Sequence, residues 1–139
     1  MFLLEPAIVA RLRTALTGID VDWSVMGKTT DDGKRSPSQL ASVAFLNGNV
    51  ADSKGGGVSL ETAWRVTLSK RHSEDAAEVL DKAFAAVIGT LHNWPPGEIS
   101  GRLWERMRLS QVVAPQYAED ALDGVHLVFI TAARFAGHR

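Results

Sequence analysis

Gly27-Lys28-Thr29, followed closely by Asp31 and Asp32, has the residue types of a nucleotide-phosphate site. A phosphate loop needs G-x-x-x-x-G-K-[ST], because its first glycine lets backbone N–H groups curl around the anion. Here that position is Asp22, whose carboxylate repels phosphate. The loop must also open directly into a helix, whose N-terminus favours negative charge. Instead Gly33 and Ser36-Pro37-Ser38 follow, a turn-forming composition. Nucleotide binding is therefore not expected. His72, His92, His126 and His138 fall in no metal-ligand spacing. The sequence has no cysteine, which removes thiol nucleophiles, thiolate metal sites and disulfides, and fits a reducing compartment. Ser36, Ser38, Ser42 and Ser53 lack the G-x-S-x-G elbow that exposes a nucleophile. Asp20 and Asp22 read as the solvated face of a strand, and Asp31-Asp32 as turn chemistry beside Gly33. No catalytic residue, cofactor or metal is expected.

The elements that would position any site follow from periodicity. The 139 residues are expected to form a single α+β domain, 1–139. Glu5-Pro6 opens a helix, with Ile8, Leu12, Ala15 and Leu16 on one stripe and Gly18 as its stop. Val21, Trp23 and Val25 alternate as a strand, and Ala41–Leu46 reads as a strand buried on both faces. Asn47-Gly48-Asn49 is a turn signal. Leu60, Thr62, Trp64, Val66 and Leu68 alternate with polar neighbours, which predicts a long strand with one face on a core. Ser73 caps a helix over 74–92 whose apolar stripe includes Leu80, Phe84, Val87 and Leu91. Trp94-Pro95-Pro96-Gly97 forbids its continuation. One irregular strand is expected over 101–113, and a central one over 125–135. Grouped strands predict helices packed on one antiparallel or mixed sheet of about five strands.

Two polar loops, 26–40 and 48–59, are long for so small a domain, and such loops are usually functional. They carry Lys28, Lys34, Arg35 and Lys54. Arg65 lies on the outward parity of the long strand. Arg102, Trp104 and Arg106 alternate with Leu103 and Glu105 in the arginine-rich strand, and arginine with aromatic residues is what interface centres favour. These eight residues are the expected interface. Fifteen Lys and Arg against sixteen Asp and Glu give a net charge of -1, so neither direct nucleic-acid recognition nor membrane binding is expected. No apolar run reaches the roughly 20 residues that span a bilayer, and the start of the chain lacks the basic region of a secretory signal.

The layout resembles the tail terminator (tail completion) proteins of tailed bacteriophages, including the minor tail protein U type and its relatives in Mu-like prophages. The resemblance rests on IVARLR (8–13), ASVAFLNG (41–48), LETAWRVTLSKR (60–71), AAEVLDKAFAAVIGTLHNW (76–94) with its tryptophan–proline step, and VHLVFITAARF (125–135). It implies a structural protein, not an enzyme. Such proteins form a ring, typically a hexamer, on the last ring of tail-tube protein, stop tube polymerisation and offer a surface for the head–tail connector. It implies a place in the virion tail, reached from the host bacterial cytoplasm during assembly, with the two polar loops ordering on ring formation. The resemblance assigns no single residue a role. The alternatives are another head–tail joining (neck) protein, or a small ligand-binding or enzymatic domain. The latter would have a pocket between helix 76–92 and the sheet, with His126 and Tyr117 as its polar groups.

Overall fold

The computed structural model describes residues 2–17, 19, 23–27, 39–114 and 122–137, with the backbone alone at Lys54 and Leu122. Helix α1 (Leu4–Thr17) buries Leu4, Ile8, Val9, Leu12 and Leu16, a stripe set by the helical period. Strands β1 (Ser24–Gly27), β2 (Gln39–Asp52) and β3 (Gly57–Arg71) follow, then helix α2 (Ala76–Leu91). After it come β4 (Gly97–Ile99), β5 (Arg102–Trp104), β6 (Arg108–Val113) and β7 (Leu122–Ala136). The main sheet has the order β1-β2-β3-β7-β6, and β4 pairs only with β5. β1 runs parallel to β2, and every other neighbouring pair is antiparallel. This is the expected α+β class, with a mixed five-stranded sheet.

Alternation decides which face is covered. Along β3, Thr62, Trp64, Val66 and Leu68 are buried, while Glu61, Ala63, Arg65 and Thr67 are half-buried. The buried parity meets both helices: α1 lies over β1 and β2, and α2 over β3, β7 and β6. Arg11 ties the helices together. Its Nε donates to the Thr90 carbonyl at 2.7 Å, and its guanidinium lies 4.9 Å from the Trp94 ring. Arg13 donates to the Val25 carbonyl at 2.9 Å, which fixes α1 over β1.

Trp64 is fully buried at the centre of this core, edge-on to Phe45 at 5.3 Å. A buried indole N–H needs an acceptor, and Trp64 Nε1 finds Thr62 Oγ1 at 3.0 Å. Thr62 Oγ1 in turn donates to the Thr131 carbonyl at 3.1 Å. Thr131 Oγ1 donates to the Glu105 carbonyl at 2.6 Å, and Glu105 N–H to the Ala132 carbonyl at 2.9 Å. A threonine relay thus runs from the middle of β3 through β7 to the segment that follows β5.

Several local expectations are corrected. Residues 48–59 are not a loop: β2 continues to Asp52 and β3 starts at Gly57, with one 3-10 turn, Lys54–Gly56, between them. Asn47-Gly48 makes no two-residue hairpin turn: type I′ needs positive φ at both central positions and type II′ at the first, and neither residue has it. The register instead shifts between Phe45 and Asn47, so a β-bulge absorbs the irregularity. Gly48 still has a reason to be glycine, since an added Cβ would sit 3.3 Å from Leu60 Cδ1. Of the expected loop at 26–40, Met26 and Gly27 belong to β1, and Gln39 and Leu40 to β2; residues 28–38 lie outside the described residues. The expected strand 101–113 is two strands. Ser100 (φ 55°) and Gly101 (φ 76°) form a tight hairpin between β4 and β5, and Glu105–Met107 break the run. That break is held by Asn93 N–H to the Met107 carbonyl at 2.7 Å and Met107 N–H to the Trp94 carbonyl at 2.8 Å. Ser73 does not cap α2 through its side chain; its hydroxyl turns to Asp75 and lowers that carboxyl's pKa.

Residues 41–46 and β7 are apolar on both parities, yet the helices cover only one face. Ala44, Ile130 and Ala63 remain half-buried on the other. Trp64→Ala is expected to destabilise the fold by about 3–5 kcal/mol, because it empties a closed site and removes the donor to Thr62. Urea unfolding followed by circular dichroism measures this, and a loss below about 1 kcal/mol would contradict the packing described.

Candidate assembly interface

The helix-free face of the sheet is a broad surface with a line of curvature across it. β2 bulges between Phe45 and Asn47, opposite Trp64 and Ala63. β6 shifts register between Leu109 and Gln111, opposite Phe129 and Val128. Because Trp64 pairs with Phe129, the two irregularities stand at one level on opposite sides of the sheet. Bulges bend strands and sharpen twist. Between them is a trough of about 180 Å³, floored by Ala63, Val128 and Ile130 and flanked by Leu46, Asn49 and Gln111.

Charged groups border this floor. Arg108 pairs with Glu61 at 3.3 Å. Arg65 lies opposite Val128, and its Nε is buried with no hydrogen-bond partner among the described residues. Such a group costs free energy until it finds an acceptor. His126 Nδ1 lies 2.8 Å from Thr67 Oγ1 on the same face. Partial burial lowers the His126 pKa, and the nearby Arg65 charge lowers it further.

The expected interface residues do not form one cluster. Lys28, Lys34 and Arg35 lie outside the described residues. Lys54 has its backbone in the turn at the β2–β3 tip. Arg65 is at mid-sheet on the open face, as its parity predicts. Arg102 lies beyond β7, with its guanidinium 4.2 Å from the Phe135 ring. Arg106 is exposed and donates to the Asn93 carbonyl at 2.8 Å, bracing the α2 exit. Trp104 is corrected. It is only 3% exposed and packs edge-on against Phe135 at 6.2 Å, so it is core. The β4–β5 hairpin reverses the expected side, leaving Leu103 outside at 74% exposure. His126 faces away from the helices, so it does not serve a pocket under α2. The depression there is lined by Ala77, Leu80, Phe84 and Val112 with Asp81 at its rim, and Tyr117 lies outside the described residues.

The sequence reading missed the two outer strand edges. β1 pairs with β2 only as far as Gly27 opposite Val43. Beyond that, β2 has no strand on its outer side among the described residues, and neither has β6. Exposed apolar side chains mark both: Leu46 and Val50 on β2, Val112 and Val113 on β6. Val112-Val113 was a usable signal, being adjacent β-branched residues at the end of a strand. Among the described residues no group of three His, Asp or Glu could hold a metal, and no helix is long and apolar enough to cross a membrane.

A pH dependence follows from His126. Its folded pKa lies below the ordinary 6.5, so the unfolded chain takes up the proton first as pH falls. Its contribution is therefore fully present above pH 6.5 and is lost as pH drops through that value toward the folded one. His126→Gln is expected to flatten the fall in urea midpoint below pH 6.5. An unchanged slope would show that the imidazole is not held neutral.

No protein-family model matches the sequence, and no curated protein matches it. Solved structures do share its fold. A chain of the virion of a native gene transfer agent particle superposes with a TM-score of 0.65 at 16% identity, covering 94% of both chains. A second chain, bearing no functional name, has a TM-score of 0.58 at 18% identity over 99% of this chain and 97% of its own. A third belongs to the PVC sheath/tube terminator of an extracellular contractile injection system in its extended state. Its TM-score is 0.53 at 14% identity, over 100% of this chain and 57% of its own. The chain thus shares its fold with a chain of a gene transfer agent virion and with part of a chain of a sheath/tube terminator.

Proposed function

We propose that this chain is a tail terminator. Copies close into a ring, drawn as six by the family resemblance, on the last ring of tail-tube protein. The ring stops tube polymerisation and presents a surface to the head–tail connector. The role is architectural, not catalytic, and its place is the virion tail, reached from the host bacterial cytoplasm.

The observation that carries this reading is the shared fold. The whole chain matches part of a chain in a sheath/tube terminator, and nearly the whole chain matches a virion chain of its own size. Surface features support it. A ring needs two different patches on each subunit that fit one another, because heterologous contacts close only by rotation. This subunit has two outer strand edges on opposite sides of one sheet. Arg65 and the trough between the bulges add a polar, concave surface beside them.

The test is mass and shape. Purified chain is mixed with tails assembled from the cognate tube protein. Native mass spectrometry and negative-stain microscopy are expected to show annular particles and capped tube ends, with tube length fixed. A host strain lacking the chain is expected to make tubes of uncontrolled length. Tubes of normal length without it, or a chain that stays monomeric and ignores tube ends, would reject the terminator role. Annular particles that bind heads but never tubes would assign the neck role instead.

A further inference from the structure

We infer that the outer edge of β6 in one copy pairs antiparallel with the outer edge of β2, beyond Val43, in the next, with Val112 beside Val50. This inference rests on the ring reading above and names the strands that join the ring.

An unpaired strand edge presents a row of backbone N–H and C=O groups that template another strand. Among the described residues the sheet leaves two such rows. β2 from Ala44 to Asp52 lies past the end of β1, and β6 from Arg108 to Val113 has β7 on one side only among the described residues. Their directions are complementary. β2 is antiparallel to β3, β3 to β7 and β7 to β6, so β2 and β6 run in opposite senses. A neighbour brought alongside without being turned over sets its β6 against β2 in antiparallel fashion. All copies then face the same way, as a ring requires. A two-fold dimer would pair like edges instead.

The side chains match as well. Seven large apolar residues are exposed among those described, and four of them stand on these two strands. Val50 lies opposite Leu60, and Val112 opposite Leu127. Both positions fall on the helix-bearing parity of the sheet. Val50 is 63% exposed and Val112 is 48% exposed in the single chain. Placed side by side they make a β-branched cross-strand pair, a favourable unit of sheet packing.

The offset between the edges suits closure. Val112 is level with Val66 of β3, and Val50 is level with Leu60, six positions along the same strand. Six positions amount to about 20 Å, and four strands, β2, β3, β7 and β6, span about 19 Å across. Joining copies in this register tilts the strands about 45° from the ring axis, at the upper end of the range in which closed sheets tilt. The bulges at Leu46 and Ser110 supply curvature at one level, and a further irregularity of β2, at Ala51, lies beside the joint itself.

The absence of native cysteine gives a clean test. Val50→Cys/Val112→Cys is assembled on tube ends and oxidised, then run on a non-reducing gel. A ladder of covalent multimers reaching ring size, collapsing on reduction, is expected. The single variants Val50→Cys and Val112→Cys are expected to stay uncrosslinked. Val50→Cys/Ser110→Cys samples a register two residues away. Rings visible by microscopy with neither pair cross-linked would overturn the strand pairing while leaving the terminator reading intact. Dimers from a single variant would show like-edge pairing and overturn it too. Wild-type chain that forms no rings on tube ends would remove both readings. Val50→Lys/Val112→Lys, at exposed positions, is expected to keep its unfolding midpoint and lose ring formation at least tenfold in the concentration required; unimpaired rings would count against the pairing.

Discussion

The burial of Trp64 organises the rest of the molecule. Its indole must be enclosed by apolar neighbours and must also give its N–H to an acceptor, and few places in a sheet offer both. β3 supplies one because its whole length lies between β2 and β7. Thr62, two residues earlier on the same parity, accepts that hydrogen bond and donates its own to β7. Thr131 then fixes Glu105, and with it the chain that leads from the β4–β5 hairpin into β6. Hydrogen bonds of this kind add only about 1 kcal/mol each in net terms, but leaving one of these groups unpaired in a dry core costs more. The relay therefore acts as a constraint on where β6 begins.

That constraint explains the asymmetry between faces. With both helices on the Trp64 side, the opposite parity of the central strands has no covering layer among the described residues. Small residues, Ala44, Ala63 and Ala132, keep this face low, and apolar Val128 and Ile130 sit beside Arg65 and His126. The arrangement is too polar for a second core and too apolar for a surface selected only for solubility. It fits a surface that meets protein part of the time.

Much of this was legible in the sequence, and the reasons are local. The stripes of α1 and α2 and the alternation of β3 each recur over many residues, so one anomalous position does not mislead. Short-range signals fared worse. Asn47-Gly48 has turn composition, yet pairing with Ala63 and Thr62 holds it in a bulged strand. The true tight turn, Ser100-Gly101, sits at the very start of what reads as one arginine-rich strand, and missing it put Trp104 on the wrong side. Ser73 has capping chemistry, but its hydroxyl instead accepts from Lys70 and donates to Asp75. The strand edges were legible only in the hint of Val112-Val113. Which strand lies outermost is a property of sheet order, and nothing in a strand's own residues states its neighbours. The charged positions Lys28, Lys34 and Arg35 stay where the sequence left them, outside the described residues.

The paired bulges have one more consequence. A subunit with a donor side and an acceptor side has the valence of a polymerising monomer, and sheets joined edge to edge grow into fibrils when they are flat. If copies join edge to edge as proposed, the kinks that Leu46 and Ser110 put into β2 and β6 keep the joined sheet from lying flat, which favours a finite circle over an endless filament.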